Sequence, residues 1–176
     1  CLPVSGLYLG VDTSNYTTSV SCVSNEGIVF ERRTMLSVPL GERGLRQSDA
    51  VFQHVRNLPP LISALLDGID RAQVRAVAVS AKPTAQEQSY MPVFLAGKLA
   101  ATSIASSLGV PLLETTHQAG HVRAALLGQE ERFAEVTFLA MHLSGGTTDL
   151  LLVHRKDGQI GTIERIGGCD DLHAGQ

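Results

Sequence analysis

The chain opens with short apolar runs broken by polar turns. Leu7-Tyr8-Leu9-Gly10-Val11 stops at Asp12 and predicts a buried strand. Residues 17–23 alternate Thr, Ser and Val and predict a second strand. Asn25-Glu26-Gly27 is a turn, and residues 28–35 make a third strand. A Gly-rich, Arg-containing loop, residues 41–46, follows. Ser48 and Asp49 then carry helix N-terminal signals. Val51, Val55, Leu58, Ile62, Leu65 and Leu66 recur at helical spacing, and Pro59-Pro60 is expected to kink or divide that helix. Residues 76–80 read as a small buried strand. Residues 91–108 read as an Ala-rich helix ended by Gly109 in a C′ role. Another strand, 110–113, and a short helix, 117–127, complete this stretch.

The pattern then restarts. Residues 136–143 predict a strand, Ser144-Gly145-Gly146-Thr147-Thr148-Asp149 a polar turn, and residues 150–154 a second strand. Asp157-Gly158 is a hairpin signal, and residues 159–166 a third strand. A β-turn-β-turn-β unit therefore occurs twice, each time with a Ser/Thr-rich loop between its first two strands. The expected organisation is an α/β lobe over residues 7–127 and the start of a second over residues 136–176.

Composition narrows the classes. The 176 residues are 44% hydrophobic and 18% charged, which supports a buried core. Aromatics are 5% with no Trp, so that core must be aliphatic. No run of eighteen apolar residues exists. Cys1, Cys22 and Cys169 are widely spaced and form no Cys-x-x-Cys pair, which fits neither a disulfide framework nor a cysteine zinc site. A reducing, cytoplasmic setting is the simplest reading. The net charge of −3 excludes a generically basic nucleic-acid binder, though a local Arg-rich phosphate face is compatible with it. The start at Cys1 and the stop at Gln176 read as processing limits.

Three segments carry candidate chemistry. Asp12-Thr13-Ser14-Asn15-Tyr16 places an acid at a strand end before small hydroxyl and amide residues. Such a turn can hold a phosphate while the acid orients hydrated Mg²⁺, or it can simply cap its own backbone. Leu143-Ser144-Gly145-Gly146-Thr147 lets a ligand approach the main chain closely, or serves as an ordinary hairpin turn. Two such loops in two repeated units suit a nucleotide cleft. His117 and His121, at i and i+4, lie on one helix face and suit two imidazole ligands to one metal. Gln118 stands where the His-Glu-x-x-His metalloproteases carry their general base, so that peptidase chemistry is disfavoured. His54, His142, His154 and His173 show no ligand spacing. Met91, Phe94, Leu95 and Leu99 read as core, Cys22 as a small core residue, and Arg32-Arg33 and Arg155-Lys156 as solvated strand ends.

Five segments in order carry a family resemblance: Asp12-Thr13-Ser14; Gln53-His54-Val55-Arg56-Asn57-Leu58-Pro59-Pro60; His117-Gln118-Ala119-Gly120-His121; Leu143-Ser144-Gly145-Gly146-Thr147-Thr148-Asp149; and Asp170-Asp171-Leu172-His173-Ala174-Gly175. The set resembles the glycoprotease-like family, whose best-known members make threonylcarbamoyladenosine in tRNA. The likeness runs from about Leu7 to Gln176. It implies the actin-like, ribonuclease-H-like ATPase fold, with one complete lobe and the first strands of a second. It implies His117 and His121 as ligands to one iron or zinc ion. It also implies a nucleotide or acyl-adenylate site at Asp12, Ser14, Asn15, Leu143, Ser144, Gly145, Gly146 and Thr147, with ATP and Mg²⁺ as companions. The partners it implies are tRNA and the other subunits of a modification complex; a homodimer is a further expectation.

The departures are specific. The family's opening Glu-Thr-Ser-Cys-Asp-Glu is here Asp12-Thr13-Ser14-Asn15-Tyr16-Thr17. Its glycine-rich loop after the fourth strand is here Ala81-Lys82-Pro83-Thr84-Ala85-Gln86-Glu87-Gln88-Ser89. Its Asp-Asp-Ala-Ala-Gly-Glu ends here in Gln176. These point to a divergent paralogue, with the later metal-ligand Asp beyond the chain and no catalysis by these residues alone. A non-catalytic nucleotide- or metal-binding scaffold is the competing reading, and a glycoprotein metallopeptidase a third.

Overall fold

The alternation in the first segment becomes a sheet with two unlike faces. In the computed structural model, which describes residues 6–14, 16–41, 44–86, 89–129, 131–133, 135–143 and 148–169, β1 (Leu7–Asp12) buries Leu7, Leu9 and Val11. Tyr8, Gly10 and Asp12 take the opposite face, as a period of two requires. β2 (Thr17–Ser24) buries Thr18, Val20 and Cys22. It pairs antiparallel with β1 and with β3 (Gly27–Met35). Helix α1 (Gln47–Asp67) then leads to β4 (Val74–Lys82), and α2 (Val93–Leu108) leads to β5 (Leu112–Thr116). Both later strands join in parallel, as helical crossovers allow. The order is β3-β2-β1-β4-β5.

The helices cover the side that carries Leu9, Val11, Val20, Val77 and Val79. From α1 come Leu58, Leu61 and Leu65, and from α2 Ala101, Ile104 and Ala105. Cys22 is fully buried in this core, as expected, and burial pushes its thiol pKa up. The sequence motif around Gln53 also serves this packing. Gln53 binds the Ser37 backbone at both its N–H (2.8 Å) and its carbonyl (3.0 Å). His54, fully buried, meets Thr18 Oγ1 through Nδ1 at 2.8 Å, and Asn57 donates to the same oxygen at 3.2 Å. These bonds fasten α1 to β2.

Several local expectations change. Pro59 and Pro60 do not divide α1, which runs unbroken over 21 residues. Both prolines are exposed, as are Val55 and Arg56 four residues before them, so the carbonyls deprived of an N–H partner lie on the wet side. Ser48 and Asp49 sit inside the first turn, after an N-cap Arg46 that makes no side-chain cap bond. Gly109 does end α2, at φ +64°. Leu95 and Leu99 are exposed rather than core, because α2 turns Phe94, Ala96, Gly97 and Ala101 inward instead.

By compactness the chain divides into Cys1–His117 and Gln118–Gln176. The second unit is an antiparallel sheet, β6-β7-β8, made of Phe138–Leu143, Thr148–Lys156 and Gln159–Cys169. Asp157 and Gly158 turn its last hairpin with φ of 53° and 71°, the left-handed pair of a two-residue turn. Helix α3 (His117–Ala125) lays Val122 against Leu151 and Val153, joined by Leu126 from the turn that follows. Arg155 is not a solvated strand end. It shares the inward face of β7 with those two residues, is buried, and donates to the Gly158 carbonyl. Among the described residues no helix is long and apolar enough to cross a membrane.

One clamp joins β1 to α2. Thr13, fully buried, donates from Oγ1 to the Val93 carbonyl at 2.7 Å and accepts from the Gly97 N–H at 3.1 Å. A Cβ on Gly97 would meet that oxygen at 2.7 Å. Gly97→Ala should therefore lower urea-unfolding stability by about 1–3 kcal/mol despite alanine's better helix propensity. Thr13→Val should cost about 1 kcal/mol by removing both hydrogen bonds of the clamp. A Gly97→Ala midpoint at or above that of the unaltered protein would refute the clamp.

Candidate functional site

Asp12 ends β1, where the strand stops and the polar turn begins. Its Oδ1 accepts from the Ser14 N–H at 2.7 Å and from the Ser14 hydroxyl. Its Oδ2 meets His117 Nδ1 at 3.1 Å, across 105 residues of chain. Ser80, from the end of β4, adds a further hydrogen bond. Burial alone would raise this carboxyl's pKa. The bonds from His117, Ser14 and Ser80, with the attraction of His117, outweigh burial and hold it at about 2. Asp12 is therefore a carboxylate at neutral pH and can only accept. The Nδ1–H of His117 is therefore the donor in this bond. A carboxylate that fixes the tautomer of a histidine is the usual support for a metal ligand.

Beside Asp12, on the sheet face away from α1 and α2, lies an open cleft of about 160 Å³. Gly10, Ser19, Ser21, Ser80 and Thr115 line it with Asp12. Small residues make the space, and a Cβ on Gly10 would come within 2.7 Å of the Ser21 hydroxyl.

A second polar cluster lies in the other unit. His142 on β6 and Asp149 on β7 are register partners. Asp149 is buried, and Arg165 from β8 donates to it through Nε at 2.6 Å. The His142 Nδ1 stands 3.9 Å from the other Asp149 oxygen, and its ring lies 5.2 Å from that of His121. These residues flank the Gly-rich segment on both sides.

The structure thus joins Asp12, Ser14 and His117 in one hydrogen-bonded group. It places His121 one turn after His117 in α3. Leu143 is the half-exposed last residue of β6. Asn15, Ser144, Gly145, Gly146 and Thr147 lie outside the described residues, as does the Asp170-Asp171 segment. The Asp12–His117 contact and the His142 cluster were not visible as sequence spacing. His142 stands two residues before Ser144, at the strand end that feeds the loop, and that place was its only sequence signal.

The donor set suits a borderline metal. Imidazole nitrogens favour iron or zinc, whereas Mg²⁺ prefers oxygen. Among the described residues no three His, Cys, Asp or Glu groups converge on one point.

A mixed sheet of order β3-β2-β1-β4-β5, followed by a new β-meander, defines the actin-like, ribonuclease-H-like ATPase fold. Two solved structures share it. One is YeaZ from Pseudomonas aeruginosa, at a TM-score of 0.58 and 18% identity, covering 91% of this chain and 67% of that one. The other is described as an uncharacterized protein with similarity to peptidase YEAZ from Pseudomonas aeruginosa, at 0.57 and 19%, covering 90% and 65%. Residues 40–171 match the family described as TsaD, tRNA N6-adenosine threonylcarbamoyltransferase, and the chain belongs to that family. It is also 29% identical over 173 residues to the tRNA N6-adenosine threonylcarbamoyltransferase of Porphyromonas gingivalis, covering 97% of this chain and 49% of that protein. The chain therefore spans about half the length of that curated relative.

The lowered Asp12 pKa has a consequence for stability. The folded value, about 2, lies below the ordinary 3.8. The stabilisation is present above pH 4 and is lost as pH falls toward 2, about 2 kcal/mol in all. Unfolding free energies from urea titrations between pH 5 and pH 2 should fall by that amount more in the unaltered protein than in Asp12→Asn. Parallel pH profiles would show that Asp12 is not held by these bonds.

Proposed function

We propose that this chain forms the metal-holding part of a threonylcarbamoyltransferase acting on tRNA adenosine. The observation that supports the reading is the Asp12–His117 bond, which puts a carboxylate on Nδ1 of a family-motif histidine, the support that metal-bound histidines usually have. His117 and His121, four residues apart on α3, would hold one iron or zinc ion. When bound, the metal supplies Lewis-acid polarisation of a carbonyl. Asp12 keeps the Nδ1 proton of His117 in place, and Ser14 and Ser80 keep Asp12 charged. Leu143 and the Ser144-Gly145-Gly146-Thr147 loop would hold the phosphate and ribose side of a threonylcarbamoyl-adenylate, with Asn15 at the first phosphate turn. ATP with Mg²⁺ is the related ligand. The partners are tRNA and the companion subunits of a modification complex, in the cytoplasm. Family membership and the fold support this reading. Transfer by these 176 residues alone is not expected, since they span about half the length of the curated relative.

A second reading, a non-catalytic scaffold that binds nucleotide or metal, draws on the loop after β4. There Lys82 Nζ donates to the Ala85 carbonyl at 3.2 Å and the Thr84 N–H donates to Ser89 Oγ at 3.1 Å, in a segment without glycine. Such a loop closes on itself instead of offering bare backbone to a ligand.

Metal analysis of the purified chain should find one iron or zinc per molecule, falling at least tenfold in affinity in His117→Ala. Asp12→Asn should weaken binding about 10–100-fold through the lost tautomer control. Transfer of a threonylcarbamoyl group to tRNA should appear only when the chain is supplied within its full-length protein and complex. Binding without transfer there would favour the scaffold, and no metal in the chain would overturn the ligand assignment.

A further inference from the structure

We infer that two copies of this chain pair antiparallel along the outer edge of β3, across a two-fold axis at Arg32, into one continuous sheet. This surface lies wholly in the first unit and is independent of the metal and of the transfer reaction.

β3 is the outermost strand of the order β3-β2-β1-β4-β5 and is paired on one side alone, with β2. Every residue of it except Phe30 is exposed. The outer backbone groups of such a strand accept another strand unless the side chains forbid its approach. The middle of β3 carries three charges in a row, Glu31, Arg32 and Arg33. None of them forms an ion pair with a described residue. Charges on an edge keep foreign strands away. Here their order also makes the edge complementary to itself.

The register follows from faces and charges together. Residues directly opposite one another in an antiparallel pair share a face. Glu31 and Arg33 stand beside Ser21 and Ser19 of β2, on the face away from α1. With the axis at Arg32, Glu31 of each copy meets Arg33 of the other, and Phe30 meets Thr34. Moving the axis one residue either way sets Glu31 against Glu31 or Arg33 against Arg33. Opposite charges across a seam stabilise it and like charges weaken it, so the Arg32 register is the favoured one. Arg32 itself meets its own copy at the axis, on the α1 face. Its guanidinium lies over the Phe30 ring of the same strand, 5.6 Å from the centroid, so its charge runs along the strand and not across the seam.

The ends of the seam are apolar. β2 pairs Cys22 with Phe30 and Val23 with Ile28, which leaves Val29 as an extra residue and bends the strand there. The regular ladder between copies therefore stops at Phe30. Beyond it, Met35 of one copy, 74% exposed, comes beside Ile28 and Val29 of the other, 62% and 50% exposed. Pairing covers apolar surface that a lone copy leaves in water.

Sedimentation equilibrium of the full chain over a range of concentrations tests this. The unaltered chain should form a dimer. Glu31→Arg and Arg33→Glu should each raise its dissociation constant about tenfold or more, because each turns two attractive pairs into repulsive ones. Mixed in equal amounts, the two variants should associate as tightly as the unaltered chain, since every pair across the mixed seam is again opposite in charge. Arg32→Thr should tighten the dimer by removing the like charges at the axis. A readout free of substitutions is amide exchange in the unaltered chain, which should slow along β3 as concentration rises. A monomer at every concentration, single variants that dimerise as well as the unaltered chain, variants that stay weak when mixed, or β3 exchange that ignores concentration would each overturn the pairing.

Discussion

A carboxylate that stays charged while three-quarters buried is the constraint on which the candidate site depends. Asp12 sits at the end of β1, where desolvation alone would favour its neutral form. Donors from three other segments hold it ionised. Ser14 comes from the turn that follows, Ser80 from the end of β4, and His117 from the start of α3. The parallel pairing of β1 with β4 brings Ser80 near, and the pairing of β4 with β5 delivers His117 immediately after β5 ends. The sheet order is thus what assembles the group. Thr13, one residue after Asp12, locks the same turn to α2. Position and charge at the strand end are therefore set by neighbouring residues with separate partners.

The resemblance segments divide into two kinds once their contacts are known. Gln53, His54 and Asn57 look like a functional motif because polar residues recur along an apolar helix. Their bonds go to Ser37 and Thr18, which makes them fasteners between α1 and the first strands. The fully buried histidine in that place meets a threonine hydroxyl through Nδ1 and so ties α1 to β2. His117 differs. Its partner is a carboxylate beside an open cleft. Both histidines sit in motifs of similar appearance, and the difference lies in what each faces.

Local pattern was a good guide where one face of an element is buried against one neighbour. Strands β1, β2, β6 and β7 and the Gly109 helix end follow directly from period-two alternation and from glycine's tolerance of positive φ. It was a poor guide where an element is apolar nearly all round. On α2 the buried side could not be chosen from hydrophobicity, and the small residues Ala96, Gly97 and Ala101 went inward while Leu95 and Leu99 stayed outside. Arg155 shows the converse. Its charge suggested solvent, but strand parity put it inside, with the Gly158 carbonyl accepting its hydrogen bond.

By itself the sequence determined the two β-meanders, the aliphatic core, the family, and the candidacy of Asp12, Ser14, His117 and His121. These depend on spacing along a few residues, and local geometry converts such spacing into a shared face. The tertiary structure alone decided that Asp12 faces His117 across 105 residues, that Asp149 is held by Arg165, and that His142 lies beside His121. Those pairs come from strand register and from the approach of a helix to a sheet. Both are set by packing the whole core, and no short window of sequence contains them.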